Sequence, residues 1–146
     1  MSRRCAGFRD RSSTTLKEAG AFADELLSRI PRGTAVHTAL IPLSQVLVAL
    51  GRREELIAAL EPLTPSPLLH AIRAYASGDL DEAAEQLAVV SLQDEAHTRL
   101  EAAAAHAEAG RRAEADAQLQ RALAFWRSVG ATRYIREAET LLAATA

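Results

Sequence analysis

The chain predicts an all-α fold of antiparallel helix hairpins stacked side by side, about eight helices in all. Three observations point there. Three stretches share one template: Gly51-Arg52-Arg53-Glu54-Glu55-Leu56, Gly78-Asp79-Leu80-Asp81-Glu82-Ala83 and Gly110-Arg111-Arg112-Ala113-Glu114-Ala115. In each, an apolar helical run stops at a glycine and a second run starts within a few residues at a Glu followed by Ala or Leu. The glycines recur at intervals of roughly 27 and 32 residues, inside the range of helix-hairpin arrays. Alanine supplies about a fifth of the 146 residues and leucine is also abundant; both lose little side-chain entropy in a helix. No segment alternates with period two for long enough to form a strand, and aromatics, at 4%, are too few for an aromatic β-sandwich core.

Residues 1–12 carry Arg3, Arg4, Arg9 and Arg11 without a periodic apolar face and read as a flexible basic arm; 13–146 read as one helical-repeat domain. The first helix is predicted to start near Ser13 or Thr14. Leu16, Ala19, Phe22, Ala23, Leu26, Leu27 and Ile30 then recur at three- and four-residue steps, before Pro31 and Gly33. A second run, Val36 to Leu50, is interrupted by Pro42, which either kinks the helix or divides it. A short third helix covers about Glu54 to Glu61, followed by Pro62, Pro65 and Pro67.

Ser66-Pro67 reads as a capping hydroxyl with proline at the first helical position. The fourth helix runs to Ser77, with Gly78 beyond it. Asp79 caps the fifth, and Glu82 is placed to reach back and complete a capping box. Ser91 with Asp94 repeats that pattern before the sixth helix, which ends at Gly110. The seventh runs from about Arg112 to Ser128 and the eighth from about Thr132 to Ala143. Short turns between successive helices make neighbours antiparallel.

From Gly78 the frame Gly-Asp-Leu-Asp-Glu-Ala resembles the turn and second-helix start of a tetratricopeptide repeat. Leu87 falls where that family places a large apolar residue and Val90 where it places a small one. Gly110 repeats the frame with Ala115, Leu119 and Ala122. Pro67 and Arg99 stand at the family's first large aromatic, and Ala71 and Ala103 at its first-helix glycine. Further, Glu108-Ala109-Gly110-Arg111-Arg112-Ala113-Glu114-Ala115, continuing through Ala124-Phe125-Trp126-Arg127-Ser128-Val129-Gly130 to Glu139, is similar to the C-terminal end of large bacterial signalling proteins. Those proteins join an adenylate/guanylate cyclase-like domain and a P-loop ATPase domain to a long tail of helical repeats. The resemblance implies a regulatory or scaffold tail whose partner is a protein or peptide.

Catalysis is not expected. There is no Gly-x-x-x-x-Gly-Lys-Ser/Thr loop, and the single lysine, Lys17, lies in no glycine-rich turn. His37, His70, His97 and His106 form no metal-ligand spacing; His97 and His106, nine residues apart, fall on nearly opposite sides of one helix. No metal or cofactor is therefore expected. Acidic pairs such as Glu54-Glu55 and Asp81-Glu82 stand at helix starts, where the helix dipole accounts for them. Cys5 is alone, so no internal disulfide forms. Lys17, Glu18, Asp24 and Glu25 interrupt any apolar stretch after Arg3-Arg4, so export is not expected and the cytoplasm is the expected compartment. The net charge of -2 favours neither nucleic acid nor a membrane.

Two surfaces stand out. Arg121, Trp126, Arg127, Arg133, Tyr134 and Arg136 form the one locally basic and aromatic region. It is a candidate partner-binding site for an acidic peptide or, as the alternative function, for a phosphate-bearing ligand or nucleic acid. Its structural counterpart is a last hairpin sealed by Trp126 and Tyr134, with the arginines paired to Glu137 and Glu139. Leu16, Phe22, Leu26, Leu27 and Ile30 give the first hairpin an apolar face without a polar cap, and this is a candidate self-association surface: a homodimer, or an upstream repeat, would cover it.

Overall fold

The computed structural model describes the backbone of residues 6–30 and 37–145 and the side chains of 17–30 and 39–143. These residues form eight α-helices and no strand: α1 (Ala6–Arg29), α2 (His37–Ala49), α3 (Arg53–Leu60), α4 (Pro67–Ser77), α5 (Leu80–Leu87), α6 (Leu92–Glu108), α7 (Arg112–Ser128) and α8 (Thr132–Thr145). Contacts gather into two compact units, with the boundary between Thr64 and Pro65, where a single repeat domain is expected.

One turn chemistry recurs four times. Gly51, Gly78, Gly110 and Gly130 each follow a helix end with positive φ, between 67° and 86°. Around Gly78, its own N–H donates to the Tyr75 carbonyl at 3.1 Å and the Asp79 N–H donates to the Ala74 carbonyl at 2.9 Å. The same pair of bonds closes the other three helices, to Val48 and Leu47, to Ala107 and His106, and to Arg127 and Trp126. This double bond pattern satisfies carbonyls that would otherwise be left over at a helix end. It requires a left-handed residue, which glycine adopts without a Cβ clash.

In the first unit α2 packs against both α1 and α3. Leu40, Leu43, Leu47, Leu56, Leu60, Ala23 and Ile30 are buried there. Arg52 clasps the unit, donating to Glu55 of α3 at 2.9 Å and to Asp24 of α1 at 2.6 Å. Those two carboxylates hold its guanidinium more firmly protonated than usual, and Arg52 in turn holds the Glu55 carboxyl below its ordinary range.

One sequence expectation changes here, and the alternatives offered for Pro42 are narrowed to one. α1 starts at Ala6, so residues 6–12, assigned to the arm, are helical; once a helix exists, each further residue adds a hydrogen bond at little cost, and arginine is a good helix former. Residues 1–5, with Cys5, lie outside the described residues, as do Pro31, Gly33 and Val36. α2 passes through Pro42 without dividing. Proline removes one backbone donor in the second turn, and Leu40 and Leu43 on either side are both buried, which holds the helix together across it.

In the second unit each helix from α4 to α8 packs on the next, and α6 also touches α8. Ser66, Asp79 and Ser91 cap α4, α5 and α6 through Leu69, Glu82 and Asp94 N–H groups at 3.2–3.3 Å. The capping box at Asp79 does not close. The Asp79 N–H is already committed to Ala74, and Glu82 accepts from Gln86 instead. Alanines at equivalent places of the two hairpins are all buried, Ala71 with Ala103 and Ala83 with Ala115, which lets the helices approach closely. Leu100, Ala103, Leu119, Leu123 and Ala138 form one buried cluster, with Ile135, Leu141 and Leu142 packed against it. α5 stops at Leu87, so Val90 sits in the following turn, exposed, rather than in the small-residue helical position that its counterpart Ala122 fills.

Candidate functional site

Helix α6 organises the chemistry of the second unit, because its two sides face different neighbours. Residues Glu95, Arg99 and His106 recur at four- and seven-residue steps and form one stripe toward α5 and α7. Residues His97, Glu101 and Ala104 form the other, toward α8.

On the first stripe Arg99 is 1% exposed. A buried guanidinium is stable only when its donors are satisfied, and here three nitrogens are engaged. Nε donates to Glu95 at 2.7 Å, Nη1 to Gln118 Oε1 of α7 at 2.7 Å and Nη2 to Glu85 of α5 at 3.1 Å. Gln118 then donates from Nε2 to Asp81 at 2.6 Å, and Arg121 donates to Glu85 at 2.6 Å. Arg121 and Arg99 together hold the Glu85 carboxyl below its ordinary range, the Arg121 hydrogen bond being the larger cause. Farther along, Arg111 Nε donates to His106 Nδ1 at 2.9 Å, and His106 Nε2 faces Asp81 at 2.8 Å. With Nδ1 accepting from Arg111, Nε2 is the nitrogen that carries the hydrogen toward Asp81.

The second stripe borders an open groove of about 500 Å³ between α6 and α8. One end is aromatic. His97 meets Trp126 at 4.7 Å and Tyr134 at 4.6 Å, both edge-on, while Trp126 stacks on Tyr134 at 4.5 Å. Phe125 joins at 4.9 Å. Trp126 is buried and its Nε1–H has no hydrogen-bond partner. One turn along each helix come Glu101 and Glu137, and a further turn on, Ala104 and Leu141. Leu100 and Thr140 complete the lining. Tyr75 of α4 donates its hydroxyl to Glu101 Oε2 at 2.7 Å.

The arginine and aromatic residues expected to form one partner surface are divided. Trp126 and Tyr134 seal the α7–α8 hairpin. Arg121 turns to Glu85 on α5, and Arg127 turns to Glu139 on α8 at 3.0 Å. Arg133 lies 5.7 Å over the Tyr134 ring, and Arg136 is exposed. His97 and His106 do take opposite sides of α6, as their nine-residue spacing implies. Arg99, Gln118 and Glu101 escaped the sequence reading. The Glu95–Arg99 spacing was visible, but not the convergence of Glu85 and Gln118 from 14 and 19 residues away.

The residues expected to self-associate also divide. Ile30 is buried inside the first unit, Leu26 and Leu27 are half-buried, and Phe22 is 59% exposed. The Leu16 side chain lies outside the described residues. Phe22, Leu26, Pro42 and Val46 line a second, apolar recess of about 280 Å³ between α1 and α2. No helix among the described residues is long and apolar enough to cross a membrane.

The chain matches no protein family, curated protein or solved structure with which it was compared.

Proposed function

We propose that this protein is a non-catalytic interaction module, a tetratricopeptide-like scaffold that holds a protein or peptide segment in the groove between α6 and α8. The carrying observation is the pattern of links between alternate helices. Tyr75–Glu101 ties α4 to α6, Asp81–Gln118 and Glu85–Arg121 tie α5 to α7, and α6 touches α8. Links from each helix to the next but one are what successive stacked hairpins produce, with first helices lining one side and second helices the other. The repeated glycine turn and the paired buried alanines support the same reading. So does the resemblance to the repeat tails of cyclase and ATPase signalling proteins, in which such a scaffold would serve a regulatory role.

The test is selection from a random library of 12-residue peptides against the full chain, repeated against Thr140→Trp. Thr140 is exposed on the groove wall, so tryptophan there narrows the groove without entering the core. Peptides enriched on the parent chain should bind Thr140→Trp at least roughly tenfold more weakly, a loss of about 1.4 kcal/mol, while the circular dichroism spectrum is unchanged. Enriched peptides indifferent to the substitution, or none enriched at all, would remove the groove from the proposal.

A further inference from the structure

We infer that the α6–α8 groove selects a basic segment, one presenting an arginine or lysine beside an apolar side chain. This rests on the groove being the binding face. Its charged lining is of one sign: Glu101 from α6 and Glu137 from α8, one turn beyond the His97–Tyr134 contact. Glu137 has no ion-pair or hydrogen-bond partner among the described residues. Glu101 spends one oxygen on the Tyr75 hydroxyl, a neutral donor that leaves its charge uncompensated. Neither arginine of α8 makes an ion pair with Glu137 among the described residues: Arg133 lies over the Tyr134 ring and Arg136 is exposed.

Two carboxylates on facing helices, with no cation between them among the described residues, repel. A bound cation reverses the sign of that interaction and gains both attractions. Leu100 and Leu141 supply an apolar wall for a neighbouring side chain, so the surface matches a segment that alternates the two chemistries rather than a polybasic run. A metal ion does not fit: among the described residues no three His, Cys, Asp or Glu side chains lie close enough to share one. The arginines of this chain do not act as the recognition element in this arrangement; the glutamates do, and the ligand carries the positive charge.

The experiment uses the full chain and fluorescein-labelled peptides taken from the groove-dependent set of the library selection, each also synthesised with its basic residues changed to glutamine. Fluorescence anisotropy should show binding that falls about tenfold or more on that change. A comparable fall should follow Glu101→Gln/Glu137→Gln, in which the substituted amide oxygen on α6 still accepts from the Tyr75 hydroxyl. Raising the salt from about 50 to 300 mM should weaken parent binding and leave the double variant nearly unaffected. Groove-dependent peptides lacking basic residues, or basic peptides that bind the double variant equally well, would overturn the inference and leave the groove reading standing. Failure to obtain any peptide sensitive to Thr140→Trp would overturn both.

Discussion

The two sides of α6 carry the same chemical groups in opposite conditions. Toward α5 and α7, Glu95, Arg99 and His106 all have partners, and Arg99 is buried with three of its nitrogens engaged. Toward α8, His97 and Glu101 face a groove in which the second carboxylate, Glu137, has no ion-pair or hydrogen-bond partner among the described residues. Charge by itself therefore says little about function in this molecule. A charge whose partners arrive from neighbouring helices is part of the architecture, whereas a charge left over after packing is available to something outside. The arginines illustrate the first half of that rule, because Arg121 and Arg127 are spent on Glu85 and Glu139.

The largest way to break the comparison is Arg99→Leu. Removing a buried charge strands its partners, so the loss of stability should approach the range for breaking a buried pair, about 3 kcal/mol. The partial exposure of Glu85 keeps it at the lower end of that range. Urea unfolding followed by circular dichroism would measure it. The double variant Arg99→Leu/Glu95→Leu should recover part of the loss, since the more buried of the two acids is then no longer orphaned. A single variant as stable as the parent would show that the network is decorative.

A smaller effect is expected at the turn that orients α6 against α7. Gly110 has φ of +74° and a Cβ there would meet nothing within 4 Å, so the cost of Gly110→Val is conformational rather than steric. It should amount to about 1 kcal/mol or somewhat more, with the same expectation for Gly78→Val at φ 86°. Unfolding curves coincident with the parent would remove the left-handed assignment.

That turn was among the most legible features of the sequence, and α6 was among the least. All four glycines marked helix ends, because only one residue type adopts the left-handed conformation freely and the signal is therefore local. The caps Ser66, Asp79 and Ser91 were legible for the same reason. The start of α1 was not, since Ser12-Ser13-Thr14-Thr15 offers capping hydroxyls at a point that the helix in fact runs through. Arg99 read as a misfit in an aromatic position, and its meaning depended on Glu85 and Gln118, which only the packing of α5 and α7 brings to it. The groove was equally hidden: Glu101 and Glu137 lie 36 residues apart in the sequence and belong to different hairpins.

Acid should sharpen the difference between the two stripes. Glu85 has its carboxyl lowered by Arg121 and Arg99. A group with a depressed folded pKa contributes stability above its unfolded value, about 4.3, and that contribution fades as the pH falls through the lower folded value. The parent should therefore be more stable than Glu85→Gln at pH 7, and the two should converge below about pH 4. Glu85 is half exposed, so solvent screening keeps the difference small. Thermal unfolding of both proteins across that window checks the sign; a gap that widens in acid would contradict it.

The smallest effect on stability belongs to the groove. Glu137 is exposed, sits in the second turn of α8 and has no hydrogen-bond or ion-pair partner among the described residues. Changing it to glutamine keeps its size and removes one of two like charges. Glu137→Gln should therefore leave the melting temperature within about 2 °C of the parent, with any shift directed upward as the repulsion from Glu101 is relieved. Adding a groove-dependent peptide should reverse that order. A ligand that binds the folded state raises its stability in proportion to its affinity, and the parent, with both carboxylates, should gain more than the variant. Melting curves with and without peptide would show whether the order crosses. A marked destabilisation by Glu137→Gln without ligand would mean that this glutamate is architectural after all, and the distinction between the two sides of α6 would fail.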